Sequence, residues 1–232
     1  MRKLFLINVL ALISMMGIKA QIITEQDFAA IDMMQFDTNG DGKVKDDEAA
    51  LAIKELYGLD QNNGITRVVV IDSIPKTKEQ IYVAVNDWFV RSFNNGKSVI
   101  QLNDKDAGCI IGKGYISNLG DTQSFFTNSH ISAYVIIRAD IKDNRMRITT
   151  TIQEYEMEKG AGTGMQVLGA LAGRVDNSKT YVNFIPSQCF PFTNKQKKEG
   201  AKGLVKGHVY SLICINKLRD AVFGGIAGDD NW

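Results

Sequence analysis

The pattern of apolar and polar residues predicts an α+β chain. Short runs rich in β-branched residues, typical of strands, recur through the middle of the sequence. Stretches with apolar residues three and four positions apart predict helices before, between and after these strands. In the last long strand apolar residues alternate with polar ones, which indicates a sheet with one face open to solvent. The predicted strands are 66–72, 98–102, 109–117, 131–141, 145–156 and 181–185, and the predicted helices are 24–36, 46–57, 77–93 and 195–223.

The first twenty residues have the organisation of a secretory signal peptide. Arg2 and Lys3 precede an apolar run over 4–13, and Ala20 offers a small residue for cleavage, so that Gln21 would begin the mature chain. The run is too short to span a membrane, and no cysteine follows it closely enough for a lipoprotein anchor. The sequence therefore predicts a secreted or periplasmic protein without a transmembrane segment.

Charge divides the remaining chain unevenly. Residues 21–64 carry ten acidic and three basic side chains, whereas residues 65–232 carry 16 acidic and 21 basic ones. This shift predicts a domain boundary, and the basic excess is too small and dispersed to indicate nucleic-acid binding. The predicted organisation is a signal peptide (1–20), an acidic helix-loop-helix (21–64), an α+β domain (65–160) and a Gly-rich loop with a C-terminal helix that extend that domain (161–232).

The acidic unit contains a complete calcium-loop motif. Residues 37–48, with the sequence DTNGDGKVKDDE, match D-x-[DN]-x-[DN]-G-x5-E at every specified position, which is the EF-hand pattern. A hard divalent cation prefers oxygen ligands, and Gly42 at loop position 6 permits the sharp turn that gathers them. The predicted calcium ligands are the side chains of Asp37, Asn39 and Asp41, the backbone carbonyl of Lys43 and a bidentate Glu48.

The motif has no partner loop. Residues 60–66 have some of the same character, but they lack a residue before the glycine and a glutamate at position 12, so they are predicted to form a turn. A single EF-hand must bury its helix faces against the next domain or against a second copy. Extracellular modules bind calcium at about 10⁻⁴–10⁻³ M, which favours constant occupancy and a structural role over sensing.

The central segment resembles a known family. The helix 77–93 with Trp88, the following Lys97-Ser98-Val99-Ile100 and the run Gly108-Cys109-Ile110-Ile111-Gly112-Lys113-Gly114 are similar to an exported Bacteroidetes domain of unknown function. That family is assigned a TATA-binding-protein-like (TBP-like) fold, and the resemblance covers about residues 66–160. It implies a curved antiparallel sheet packed on helices. It implies no activity and no DNA binding, because a fold does not fix a function.

Two other functions remain open. One is a module that binds an unknown protein or envelope ligand on the curved sheet, where Tyr115, Phe125, Phe126 and Tyr134 are candidate contact residues unless they belong to the core. The lysine-rich helix 195–223 is either a contact for an anionic envelope surface or simply a solvated face.

The other open function is a hydrolase of envelope polymers. His130 is its better candidate base, because His208 lies among apolar helix positions and is predicted to be packed. Glu154 and Glu156 provide paired carboxylates, but no nucleophile motif accompanies them. The sequence therefore favours a non-enzymatic protein.

Two further features are ambiguous in the sequence. The three cysteines exclude a disulfide-stapled scaffold and are either buried thiols or include one pair, Cys189 with Cys214. Residues 160–173 are rich in glycine but contain no phosphate-binding motif, which predicts a flexible loop or a short helix.

Overall fold

A computed structural model describes residues 27, 30–92, 99–174, 178–188 and 198–224. Its strands form one antiparallel sheet in the order β1-β2-β6-β5-β4-β3, and β7 pairs with β6 beyond the end of β2. The strands are β1 (Gly58–Leu59), β2 (Ile65–Ile71), β3 (Ile100–Asp104), β4 (Cys109–Gln123), β5 (Thr127–Lys142), β6 (Arg145–Ala161) and β7 (Thr180–Phe184).

Four α-helices accompany the sheet in the described part of the chain. Short 3-10 helices at Met33–Phe36, Lys54–Leu56 and Pro186–Gln188 complete the helical structure there. None of the described helices has the length and apolarity needed to cross a membrane. The helices are α1 (Asp46–Ile53), α2 (Lys78–Ser92), α3 (Thr163–Leu171) and α4 (Lys198–Gly224).

The core lies between one face of the sheet and helices α1, α2 and α4. Along β5 every second residue from Ile131 to Ile141 is buried, and along β6 the same alternation runs from Met146 to Ile152. On the other face Val68, Val70 and Tyr134 are exposed. The predicted sheet with one solvated face is confirmed.

Helix packing on the sheet depends on glycine at the closest contacts. The Phe89 ring of α2 lies against Gly112 of β4, where an added Cβ would stand within 3 Å of the ring. A Cβ added at Gly203 or Gly207 of α4 would likewise stand within 3 Å of Tyr155 or Ile152 of β6. Since these partners are almost fully buried, larger residues at the glycines would force the helices away from the sheet.

The acidic N-terminal unit shares this core. Phe36, Ala49, Ala50 and Ile53 are buried in the same apolar cluster as the sheet and α4, and Lys217 of α4 forms a 2.8 Å ion pair with Asp27. Of the two ways expected for burying the apolar side of this unit, the chain uses packing against its own next domain.

Several predicted boundaries differ from the structure. The entering helix was expected over 24–36, but Asp32 accepts a hydrogen bond from Met34 N and begins a separate 3-10 turn, so no continuous helix reaches Phe36. Strands β4, β5 and β6 extend beyond their predicted ends. Residues 160–173, expected as a loop or short helix, include the nine-residue α3. The signal peptide and Cys189 lie outside the described residues. Cys109 and Cys214 are buried free thiols, which is the first of the two alternatives expected for the cysteines.

Candidate functional site

The predicted calcium loop joins the buried Phe36 to the first turn of α1. Both glycines in its first half have left-handed backbone, with φ of 71° at Gly40 and 77° at Gly42. The turn expected at Gly42 is therefore present. Glu48 sits in the first turn of α1, which places the last loop position on a fixed element.

Side chains at loop positions 1, 3 and 5 accept hydrogen bonds from the loop backbone. The two oxygens of Asp37 each accept one, from Gly40 N and Gly42 N, both at 2.9 Å. Asn39 Oδ1 accepts from Asp41 N at 2.8 Å, and Asp41 Oδ1 accepts from Lys43 N at 2.8 Å. These bonds curl the loop around its own acidic side chains, as the first half of an ion-binding loop requires.

Glu48 closes the loop from the helix side. Its Oε1 accepts from Thr38 N at 2.9 Å, Thr38 Oγ1 at 2.7 Å and Asn39 N at 2.9 Å, and its Oε2 accepts from Asn39 Nδ2 at 3.2 Å. The twelfth loop position is thereby brought to the second and third loop positions. An open groove over Thr38, Asn39 and Glu48 leaves this region accessible to solvent.

The predicted ligand atoms suit a hard cation, but in the structure the same side chains accept hydrogen bonds. At each predicted position the side-chain ligand atom would be an oxygen. Within the described residues, no three Asp, Glu, His or Cys side chains form a metal-ligating group, and the carboxylates of Asp37, Asp41 and Glu48 accept N–H groups. The two Asp37 oxygens and Asp41 Oδ1 each accept a single N–H and keep lone pairs for a cation, whereas Glu48 Oε1 accepts three hydrogen bonds and would have to turn from them to ligate calcium.

A partly buried polar cluster adjoins Phe36, the residue before the loop, and was not predicted as a unit. Tyr57 Oη lies 2.8 Å from His208 Nδ1, Arg67 Nη1 lies 3.5 Å from the same nitrogen, and the Phe36 ring contacts the imidazole edge to face. His208 is only 3% exposed, which confirms that it is packed. Burial, with a smaller contribution from the Arg67 charge, lowers the pKa of His208 from 6.5 to about 4. Burial also raises the pKa of Tyr57. The cluster connects the end of α1 to β2 and α4.

His130, the candidate base, has both ring nitrogens occupied. Nδ1 contacts the Asp121 carboxylate, and Nε2 donates to the Ser117 carbonyl at 2.7 Å. Neither nitrogen is therefore available to a substrate without breaking a hydrogen bond. Of the paired carboxylates, Glu156 accepts from Tyr115 Oη at 3.0 Å, whereas Glu154 is exposed.

The four candidate aromatic residues do not share one surface. Tyr115 and Tyr134 occupy paired positions on β4 and β5, with ring centroids 4.8 Å apart on the open face of the sheet. Phe125 and Phe126 instead lie in the turn between those strands, where both are exposed. The expectation that all four line the sheet face is wrong, because the strands end before Phe125.

Comparison with known proteins supports the fold. Residues 66–156 match a family described as a domain of unknown function (DUF4468) with TBP-like fold. A crystal structure of a TBP-like protein from Parabacteroides distasonis is similar at 15% identity and a TM-score of 0.47, covering 72% of this chain and 97% of that one. A DUF4468 family protein from Bacteroides ovatus is similar at 11% identity and a TM-score of 0.42, covering 73% and 91%. No curated protein matches the chain. The fold is α+β and TBP-like, with a curved antiparallel sheet and helices.

Proposed function

We propose that this chain is an exported, non-enzymatic protein that binds one calcium ion in loop 37–48. The observation that carries the proposal is the closed loop itself. The twelve residues include oxygen donors at every required position, and hydrogen bonds already bring Glu48 to Thr38 and Asn39. Export is supported by the sequence of residues 1–20.

The proposed ion would be held by Asp37, Asn39 and Asp41 side chains, the Lys43 carbonyl and Glu48. Its role would be structural, because Phe36 immediately precedes the loop and Ala49 follows Glu48, and both are buried in the common core. Binding that fixes the loop would thereby fix how the acidic unit sits on α4. The absence of a partner loop from the sequence is a further reason to expect a clamp and not a sensor.

Titration calorimetry with calcium tests the proposal. The protein is expected to bind one equivalent at about 10⁻⁴–10⁻³ M. Glu48→Gln, which removes the bidentate charge with little change in volume, and Asp37→Asn are both expected to abolish the heat of binding. Glu55→Gln is the matched control. Glu55 lies in the 3-10 helix that follows α1, outside the loop, and its side chain is 84% exposed. Heats that are equal in all four proteins would contradict a site in the loop.

A second candidate function is a binding module on the open sheet face. Val68 and Val70 of β2 and Tyr134 of β5 favour it, because these large apolar side chains of that face are left exposed to solvent. The two functions are compatible, since the calcium loop packs on the helical side. A hydrolase is less favoured, because His130 is held by Asp121 and Ser117.

A further inference from the structure

One end of the molecule carries an exposed apolar surface that the calcium proposal does not use. It consists of the β4–β5 turn and one side of α3, and we call it the apolar tip. Phe126 is 68% exposed and Leu171 is 81% exposed, and no residue of α3 is buried. A nine-residue helix with this composition leaves most of its apolar area in water. The exposed large apolar residues of the tip are Phe125, Phe126, Met165, Val167, Leu168 and Leu171.

The two parts of the tip are fixed to each other. Gly162 N donates to the Phe126 carbonyl at 2.9 Å, and Met165 N donates to the Phe125 carbonyl at 3.1 Å. An added Cβ at Gly162 or Gly164 would stand within 3 Å of the turn, so glycine is what lets α3 lie directly against it. The exposed side chains thus form one surface on a connected backbone.

The tip itself contains no charged residues, and basic residues lie at its edge. Residues 122–129 and 160–173 contain no Asp, Glu, Lys or Arg, and Lys159 and Arg174 flank the second of these segments. Lys202 of α4 donates to Asp121 O and Thr122 Oγ1 at the base of the turn. Of the carboxylates near the tip that the structure describes, Asp121 contacts His130 and Glu158 forms an ion pair with Lys179. Within the described residues, Lys159 and Arg174 form no such ion pair.

We infer that the apolar tip docks on the surface of a lipid bilayer that contains anionic headgroups. Aromatic and aliphatic side chains would enter the boundary between headgroups and acyl chains, and the rim cations would face the negative surface. A second copy of the chain fits less well. A two-fold interface brings each patch against itself, which would place Lys159 and Arg174 of both copies around one apolar contact.

Vesicle co-sedimentation tests this inference. The full chain is produced with export and its N-terminus is read by mass spectrometry, so that the apolar residues 4–13 are accounted for in every sample. Vesicles of phosphatidylcholine alone are compared with vesicles of equal parts phosphatidylcholine and phosphatidylglycerol. The protein is expected to bind the mixed vesicles more tightly. Phe126→Ser with Leu171→Ser is expected to weaken that binding about tenfold or more, because two large apolar side chains no longer leave water.

Two further variants make the result specific. Val83→Ser with Val90→Ser removes two exposed valines of α2, 47% and 55% exposed, which belong neither to the tip nor to the open sheet face, and this variant is expected to bind like the unchanged protein. Lys159→Glu with Arg174→Glu is expected to abolish the preference for phosphatidylglycerol. Equal loss in the valine control, or no loss in the tip variant, would overturn the inference. So would a dimer in vesicle-free ultracentrifugation that only the tip variant dissociates, since that result assigns the tip to a second copy.

Discussion

Replacing Phe36 with alanine is expected to lower the free energy of unfolding by about 3–5 kcal/mol, the range for a large aromatic side chain lost from a core. Phe36 is 4% exposed, contacts the His208 ring with centroids 5.5 Å apart, and directly precedes Asp37, the first proposed calcium ligand. The cavity would open where the loop, α1 and α4 meet. Calcium affinity is expected to fall with stability, because the loop would lose its fixed start.

Denaturant unfolding in the presence of calcium measures this effect. Met34→Ala is the matched control, since Met34 belongs to the same 3-10 turn but is 49% exposed, and its loss is expected to cost less than about 0.5 kcal/mol. Nearly equal unfolding free energies for the two variants would show that the acidic unit does not share the core.

The second large effect is expected on acidification between pH 6.5 and pH 4. His208 has a pKa of 6.5 when unfolded and about 4 when folded, so that the unfolded chain binds a proton that the folded chain excludes. Its contribution to stability is complete above pH 6.5 and is lost progressively as pH falls to 4. Since one pKa unit corresponds to about 1.4 kcal/mol, the full loss is about 3 kcal/mol. The groups that face the imidazole are Tyr57 and the Arg67 cation, which would repel an imidazolium.

The comparison of unfolding free energy against pH for the unchanged protein and His208→Gln isolates this contribution. The variant is expected to lose less stability across the same interval. Burial alone would raise the pKa of Asp140, but hydrogen bonds from Arg138 and Arg147 outweigh it and hold the pKa below 3.8, so that its contribution is lost only at lower pH. Parallel pH profiles in the two proteins would contradict the assignment to His208.

The element types followed from the sequence because their periods are local. The alternation in β6 and the apolar side of α4 can be recognised without knowing any partner. The strand lengths could not be predicted in this way, because β4 continues through a register shift between Ile116 and Gly120. In β6 the shift opposite Ala133 and Val135 changes which residues face inward, so that Tyr155 and Met157 follow Ile152 in the core. An inserted residue of this kind leaves no periodic signal.

The candidate site, like the fold, could be predicted only in part. Gly42, the donor residues and the turn after β1 were predictable, since each depends on neighbours within a few positions. The cluster of Tyr57, Arg67 and His208 was not predictable, because His208 is 151 residues from Tyr57 and 141 from Arg67 along the chain and only the packing of α4 brings it to them. The apolar tip was missed for a related reason. Glycines at 162 and 164 suggest a loop, but here they allow α3 to lie against Phe125.

The most direct test of the account is the stability of the protein with and without calcium. A ligand that binds only the folded state stabilises it by RT ln(1 + [L]/Kd), so about 10 mM calcium should add about 1.4–2.7 kcal/mol if the affinity is that of an extracellular module. We expect this gain over the same protein in chelator, and we expect it to disappear in Glu48→Gln but not in Glu55→Gln. Equal unfolding free energies in calcium and chelator would contradict a calcium clamp in loop 37–48.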